Sequence, residues 1–119
     1  MTASDPSIEI YHATATAIIS LEGTLDAAST TSIQTPIIQA AVEGHHVLLD
    51  MSRVRFLSSA GIRMLLLLYR RVRENQRSMV LANLSDDVRA IMEITGFLDL
   101  FTIADTREQG LRFIADLTN

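Results

Sequence analysis

Apolar positions along this chain alternate between two rhythms. Ile8, Ile10 and His12 alternate with Glu9 and Tyr11, the period of two that marks a half-buried strand. Ala17 to Leu21 is a run rich in β-branched residues and predicts a second strand. The short link at Ala13 to Thr16 joins the two as a hairpin, although it lacks the Asn-Gly type of turn. Gly23 is expected to end the second strand. Val47-Leu48-Leu49, closed by Asp50, fits a buried third strand. A polar break at Ser52-Arg53 follows it, then a second apolar piece at Val54, Phe56 and Leu57. Met79 to Ala82 and Phe101 to Ile103 predict the fourth and fifth strands.

Between the strands the rhythm lengthens to that of a helix. Ile33, Ile37, Ala40 and Ala41 recur at helical spacing, Asp26 stands where it can cap that segment, and Gly44 ends it. Pro36 inside it would cost about 3 kcal/mol. The expectation is either a kink there or a helix that starts at Pro36 with Thr35 as its cap. After Gly61 a second helical pattern begins. At 100° per residue, Leu65, Leu68, Tyr69 and Val72 share one side, with Ile62 and Leu66 at its edge. Met64 and Leu67 fall on the other side, beside Arg63, Arg70 and Arg71. They read as part of a docking patch, Met and Arg being enriched at interfaces, or as residues that another element covers. Ser85 caps a third helix with Asp86 and Asp87 in its first turn, inner positions Val88, Ile91, Met92 and Thr95, and Gly96 as its stop. Phe97, Leu98, Leu100 and Phe101 pin its exit, and Thr106 caps a last helix carrying Leu111, Phe113, Ile114 and Leu117.

The pattern predicts an α/β domain with a mixed sheet of about five strands and about four helices. A chain of 119 residues is enough for one such domain. Met1 to Pro6 is small and polar and is expected to fray, so residues 1–7 read as a flexible N-terminus and 8–119 as the domain. The net charge of −4 argues against general binding of nucleic acid. The absence of cysteine excludes disulfides and thiolate chemistry. No secretory signal and no membrane-length apolar run are seen, so a cytoplasmic protein is expected. His45 and His46 are adjacent, point in different directions in extended chain, and lack completing ligands, so they read as loop and no metal site is expected. No cofactor fingerprint is present.

The candidate chemistry lies at Ser58-Ser59-Ala60-Gly61, between the third strand and the second helix. The first turn of a helix has unpaired N–H groups and a partial positive charge, so it receives anions well. Ser58 or Ser59 serves as the N-cap, and a phosphoryl group on either would meet the same field. Ala60 and Gly61 leave the neighbourhood open to another protein. The alternative is that both serines only cap the helix.

Asp50-Met51-Ser52, Val54, Phe56-Leu57 and Ser58-Ser59-Ala60-Gly61-Ile62 together resemble the signature of the STAS domain. Leu21-Glu22-Gly23-Thr24-Leu25-Asp26 upstream and Leu84-Ser85 through Ile94-Thr95-Gly96-Phe97 downstream match further family features. The resemblance spans roughly Ile8 to Leu117 and points to the anti-sigma-factor antagonists. It implies a phospho-switchable module without enzymatic activity. Unphosphorylated, such a protein binds a partner that is both anti-sigma factor and serine kinase, which releases a sigma factor. A serine phosphatase resets the switch. The phosphoacceptor of the family aligns with Ser59, with Ser58 as the alternative. The preceding position, often aspartate in the family, is Ser58 here, which removes a charge and adds a hydroxyl. Asp26, Ser58, Ser59, Ala60, Gly61, Arg63, Met64 and Leu67 are the expected partner surface, and a weak homodimer is a further expectation. The alternative reading is a constitutive STAS scaffold subunit of a signalling or transport complex. A serine-dependent enzyme ranks last, because a nucleophilic serine needs an adjacent base and no G-x-S-x-G turn is present.

Overall fold

Two alternating apolar faces on one sheet explain the arrangement. The computed structural model describes residues 7–118. Five strands, β1 (Ser7–Tyr11), β2 (Thr16–Leu25), β3 (His46–Leu57), β4 (Met79–Ala82) and β5 (Thr102–Ala104), form one sheet in sequence order. β1 pairs antiparallel with β2, and all other pairs are parallel. The parallel pairs require crossovers, supplied by α1 (Ala27–Val42), α2 (Ser59–Glu74) and α3 (Asp86–Ile94). A last helix, α4 (Arg107–Thr118), follows β5. Val47, Leu49 and Met51 join Ile33, Ile37, Leu65, Leu68, Val88 and Met92 in the main core, on the face covered by α1 to α3. The intervening Leu48 belongs with Ile18, Val80, Ala82 and Ala104 to a second cluster, closed by Ile114 of α4. β3 is thus buried on both faces, which is why its apolar run is continuous.

Several boundaries differ from the sequence expectation. The β1–β2 link is a 3-10 turn at His12–Thr14 followed by Ala15 at φ 51°, so His12 lies in the turn and not in the strand. Gly23 does not end β2. It sits inside the strand at φ 91°, next to a register shift against β3, and so acts as a bulge residue. Ser52-Arg53 likewise does not break β3, because β2 and β3 keep pairing past it to Leu25 and Leu57. β4 pairs with β3 only as far as Asp50, so this last part extends beyond the rest of the sheet and tolerates polar residues. Pro36 neither starts nor ends a helix, since α1 runs through it from Ala27. Buried Ile33, Ile37, Ala40 and Ala41 on either side offset the lost hydrogen bond.

His46 is not in a loop. It begins β3, is buried, and its Nδ1 accepts the Ser78 N–H at 3.0 Å. Burial, then the nearby Arg77 charge, push its pKa below the ordinary histidine value. β5 starts one residue later than expected, because Phe101 is buried and edge-on to Tyr69, with centroids 5.4 Å apart. The Thr106 cap forms, its hydroxyl accepting the Gln109 N–H at 3.0 Å. Leu117, expected on the inner face of α4, is 62% exposed. The expected fraying of Met1 to Pro6 lies outside the described residues, and Ser7 is already part of β1.

Candidate partner-binding site

The paired strands β2 and β3 end side by side, at Leu25 and Leu57. The next residue on each is a helix cap, Asp26 for α1 and Ser58 for α2. Two helix N-termini therefore start from one end of the sheet, and their partial positive charges share one surface. Asp26 Oδ1 accepts the Ser29 N–H at 2.9 Å, and Ser29 Oγ accepts the Asp26 N–H at 2.9 Å, a reciprocal capping box. The Ser29 backbone donor is the main reason the Asp26 carboxyl titrates below its usual range.

The two serines have different surroundings. Ser58 is half-buried, its Oγ donates to the Leu25 carbonyl at 3.1 Å, and it accepts the Gly61 N–H at 3.4 Å. Its backbone N–H donates to the same carbonyl at 2.9 Å. Ser59 is exposed at the first helical position, and its hydroxyl makes no hydrogen bond to another described residue. Of the two alternatives for the cap, Ser58 fills the role.

Two residues expected at the partner surface are in the interior. Gly61 is buried, and a Cβ there would lie 2.5 Å from the Leu25 carbonyl oxygen. Its smallness lets α2 lie against the end of β2 and does not open the site to another protein. Met64 is 3% exposed and belongs to the main core. α2 packs on the sheet with one side and on α1 with the next, so its buried arc is wider than a one-sided stripe. Asp26 and Ala60 are half-buried, and Arg63 is exposed one turn further on. Leu67 is half-buried in a groove of about 490 Å³ between α1 and α2. Thr30, Thr31 and Gln34 of α1 form the far wall. Sequence reasoning missed that wall, and the only signal for it was its closeness in sequence to Asp26.

A second polar cluster lies where α4 begins, on Ser20 and Asp50 in the middle of β2 and β3 and on Asn83 just past β4. Arg107 donates through Nε to Asp50 Oδ2 at 2.6 Å and through a terminal nitrogen to Ser20 Oγ at 2.6 Å. Asn83 and the Ser52 N–H donate to Asp50 Oδ1 at 3.2 and 3.0 Å. Burial alone pushes the Asp50 carboxyl up, but these donors outweigh it and hold the pKa below the usual carboxylate value. This cluster anchors α4 and takes no part in the serine site.

His45 and His46 lie at the start of β3 and Ser58 just past its end, twelve strand residues away, more than about 30 Å of extended chain. The turn that holds His12 sits at the same far end, since Thr16 pairs with His46. Among the described residues, no group of three His, Asp or Glu side chains could hold a metal. No helix is long and apolar enough to cross a membrane among them.

Residues 7–110 match the family model of the STAS domain. The Bordetella bronchiseptica protein BtrV, whose name places it among anti-sigma factor antagonists, is 35% identical over 92 residues, covering 76% of this chain and 79% of that protein. Two solved structures share the fold. A STAS domain protein from Planctomyces limnophilus superposes with a TM-score of 0.83 at 18% identity, covering 94% of this chain and 99% of that one. The anti-sigma factor antagonist SpoIIAA, in its unphosphorylated form, gives 0.78 at 23% identity, covering 96% and 99%.

Proposed function

The chain belongs to the STAS domain family, and on that premise we propose that it is an anti-sigma factor antagonist switched by phosphorylation of Ser59. Unphosphorylated, it binds an anti-sigma factor that is also a serine kinase, through the surface that carries Asp26, Ser59, Ala60, Arg63 and Leu67. Binding frees the sigma factor in the cytoplasm. The kinase then modifies Ser59, the complex separates, and a phosphatase restores the hydroxyl.

One observation carries the choice of residue. The Ser58 hydroxyl is committed to the Leu25 carbonyl and the Gly61 N–H, whereas the Ser59 hydroxyl is exposed at a helix N-terminus. A phosphate adds about −1.5 to −2 charges and is tolerated at that end of its own helix. A partner packed over the same end must either desolvate it or withdraw. The placement of all three histidines at the opposite end of the sheet, away from both serines, supports reading the module as one that acts by binding.

The test is to incubate the protein with a serine kinase of the anti-sigma type and ATP, and to map the phosphate by mass spectrometry. Ser59→Ala should abolish labelling and Ser58→Ala should not. Labelling that persists in Ser59→Ala moves the site. Partner binding that is the same with and without phosphate supports a constitutive scaffold instead.

A further inference from the structure

All ten basic residues of the chain are arginine, and seven of them lie between positions 53 and 77. That stretch holds one acidic residue, Glu74, in a protein whose net charge is −4. Along α2, Arg63, Leu66, Leu67, Arg70 and Arg73 follow at helical spacing, the arginines exposed, Leu67 half-buried, and Leu66 half-buried with part of it packed on the main core. Arg63, Leu66, Leu67 and Arg70 wall the groove against α1. Leu66, Arg70 and Arg73 also wall a neighbouring hollow of about 340 Å³ with Tyr69 and Leu100. The two hollows meet on the Leu66–Arg70 ridge and make one continuous surface.

This surface is unmatched within the molecule. Arg63 and Arg70 have no ion pair among the described residues, and Arg73 lies over the Tyr69 ring at 5.7 Å. Leu100 is 43% exposed beside them. The guanidinium fork suits bidentate pairing with carboxylates. The leucines between the forks require apolar partners at the same helical spacing. A nucleic-acid backbone offers phosphates but nothing apolar for them, and the acidic remainder of the chain repels it.

We propose that this face of α2 is a docking groove for an acidic amphipathic helix of a partner protein, its leucine-like stripe on Leu66, Leu67 and Leu100 and its carboxylates on Arg63, Arg70 and Arg73. The proposal rests on the reading of the chain as a partner-binding module and adds the chemistry of what is bound. The sixteen residues of α2 span about 24 Å, room for a helix of about four turns.

The test uses the full chain, labelled with nitrogen-15, and a synthetic helix of about 18 residues with a leucine stripe flanked by glutamates. Saturable amide shifts centred on Leu66, Leu67, Arg70 and Thr31 are expected, with affinity falling as salt rises. Replacing the glutamates by glutamine should weaken binding at least about tenfold, as should R63Q/R70Q with its melting temperature unchanged. Glutamine or lysine peptides that bind as well as the glutamate peptide overturn the proposal whether or not any variant folds. So do shifts that map elsewhere, tighter binding of a DNA duplex, or concentration-dependent shifts showing a second copy in the groove. If phosphorylation of Ser59 releases a protein partner that R63Q/R70Q still binds normally, the groove fails and the switch stands. If the peptide docks but no kinase labels Ser59, the switch fails and the groove stands.

Discussion

Ser58 Oγ donates to the Leu25 carbonyl, 3.1 Å away and 33 residues earlier in the chain. The contact ties the start of α2 to the end of β2 and gives two adjacent hydroxyls unequal structural value. Ser58→Ala removes this bond and the cap on Gly61, and should cost about 1 kcal/mol. Ser59→Ala removes an exposed hydroxyl without a partner and adds a good helix former, so stability should stay within about 0.5 kcal/mol of wild type. Urea denaturation of the two variants measures the difference. Equal losses would show that the hydroxyls share the cap.

The floor and entrance of the groove differ in the same way. Met64→Ala opens a cavity in the core and should cost about 2–4 kcal/mol. Leu67→Ser at the half-buried entrance should cost about 1 kcal/mol or less and leave the fold intact. Gly61→Ala places a methyl against backbone, which cannot swing aside as a side chain would, and should cost about 1–3 kcal/mol. Thermal melts of the three variants rank them. A harmless Gly61→Ala would mean that α2 can lift from Leu25 freely.

Much of this arrangement was legible in the sequence, wherever the signal was local. The caps at Asp26, Ser85 and Thr106 were readable because a capping residue acts three positions ahead in the same chain. The alternation through Val47 to Leu49 and the helical periods gave the order of the elements. Gly23 and Ser52 misled because strand ends are decided by pairing with a distant partner, and β2 and β3 pair at Gly23 and resume pairing directly after Ser52. Met64 misled because a helical wheel assumes one buried side, while α1 covers a second. The Asp50–Arg107 pair spans 57 residues, and no local pattern announces it.

That pair makes stability depend on acid in a defined direction. Asp50 has a folded pKa below its unfolded value of about 3.9. Its contribution is therefore complete above that unfolded value and is lost as pH falls through the folded pKa. Arg107 stays charged throughout. Asp50→Asn and Arg107→Gln should each cost about 2 kcal/mol at neutral pH, and the double variant should cost little more than either alone. Amide exchange in α4 should speed up in all three, because the anchor of its first turn is gone. Asp50→Asn should also flatten the fall of stability with acid below about pH 4. Additive losses, or an unchanged acid limb, would mean that α4 is held by Ile114 and its neighbours alone.

The last prediction concerns how a charge on Ser59 acts. The residue lies at the N-terminus of α2, where negative charge is neutral or favourable for the fold. The helix behind it is anchored by Ile62, Leu65, Leu68 and Val72, all buried, and by the close approach of Gly61 to Leu25. An element held this firmly has little freedom to shift in response to a group added in solvent. The effect must then arise on the partner's side, where the phosphate is desolvated or meets unfavourable groups. Ser59→Asp should keep the wild-type fold and melt at the same or a slightly higher temperature, yet bind the partner much more weakly. Asp carries less charge than phosphate, so its effect on binding should be smaller than that of the modification itself. In the phosphorylated protein, amide shifts should be confined to the first turns of α1 and α2. Shifts spread through the sheet, or a large drop in melting temperature, would show that the phosphate works by rearranging the domain.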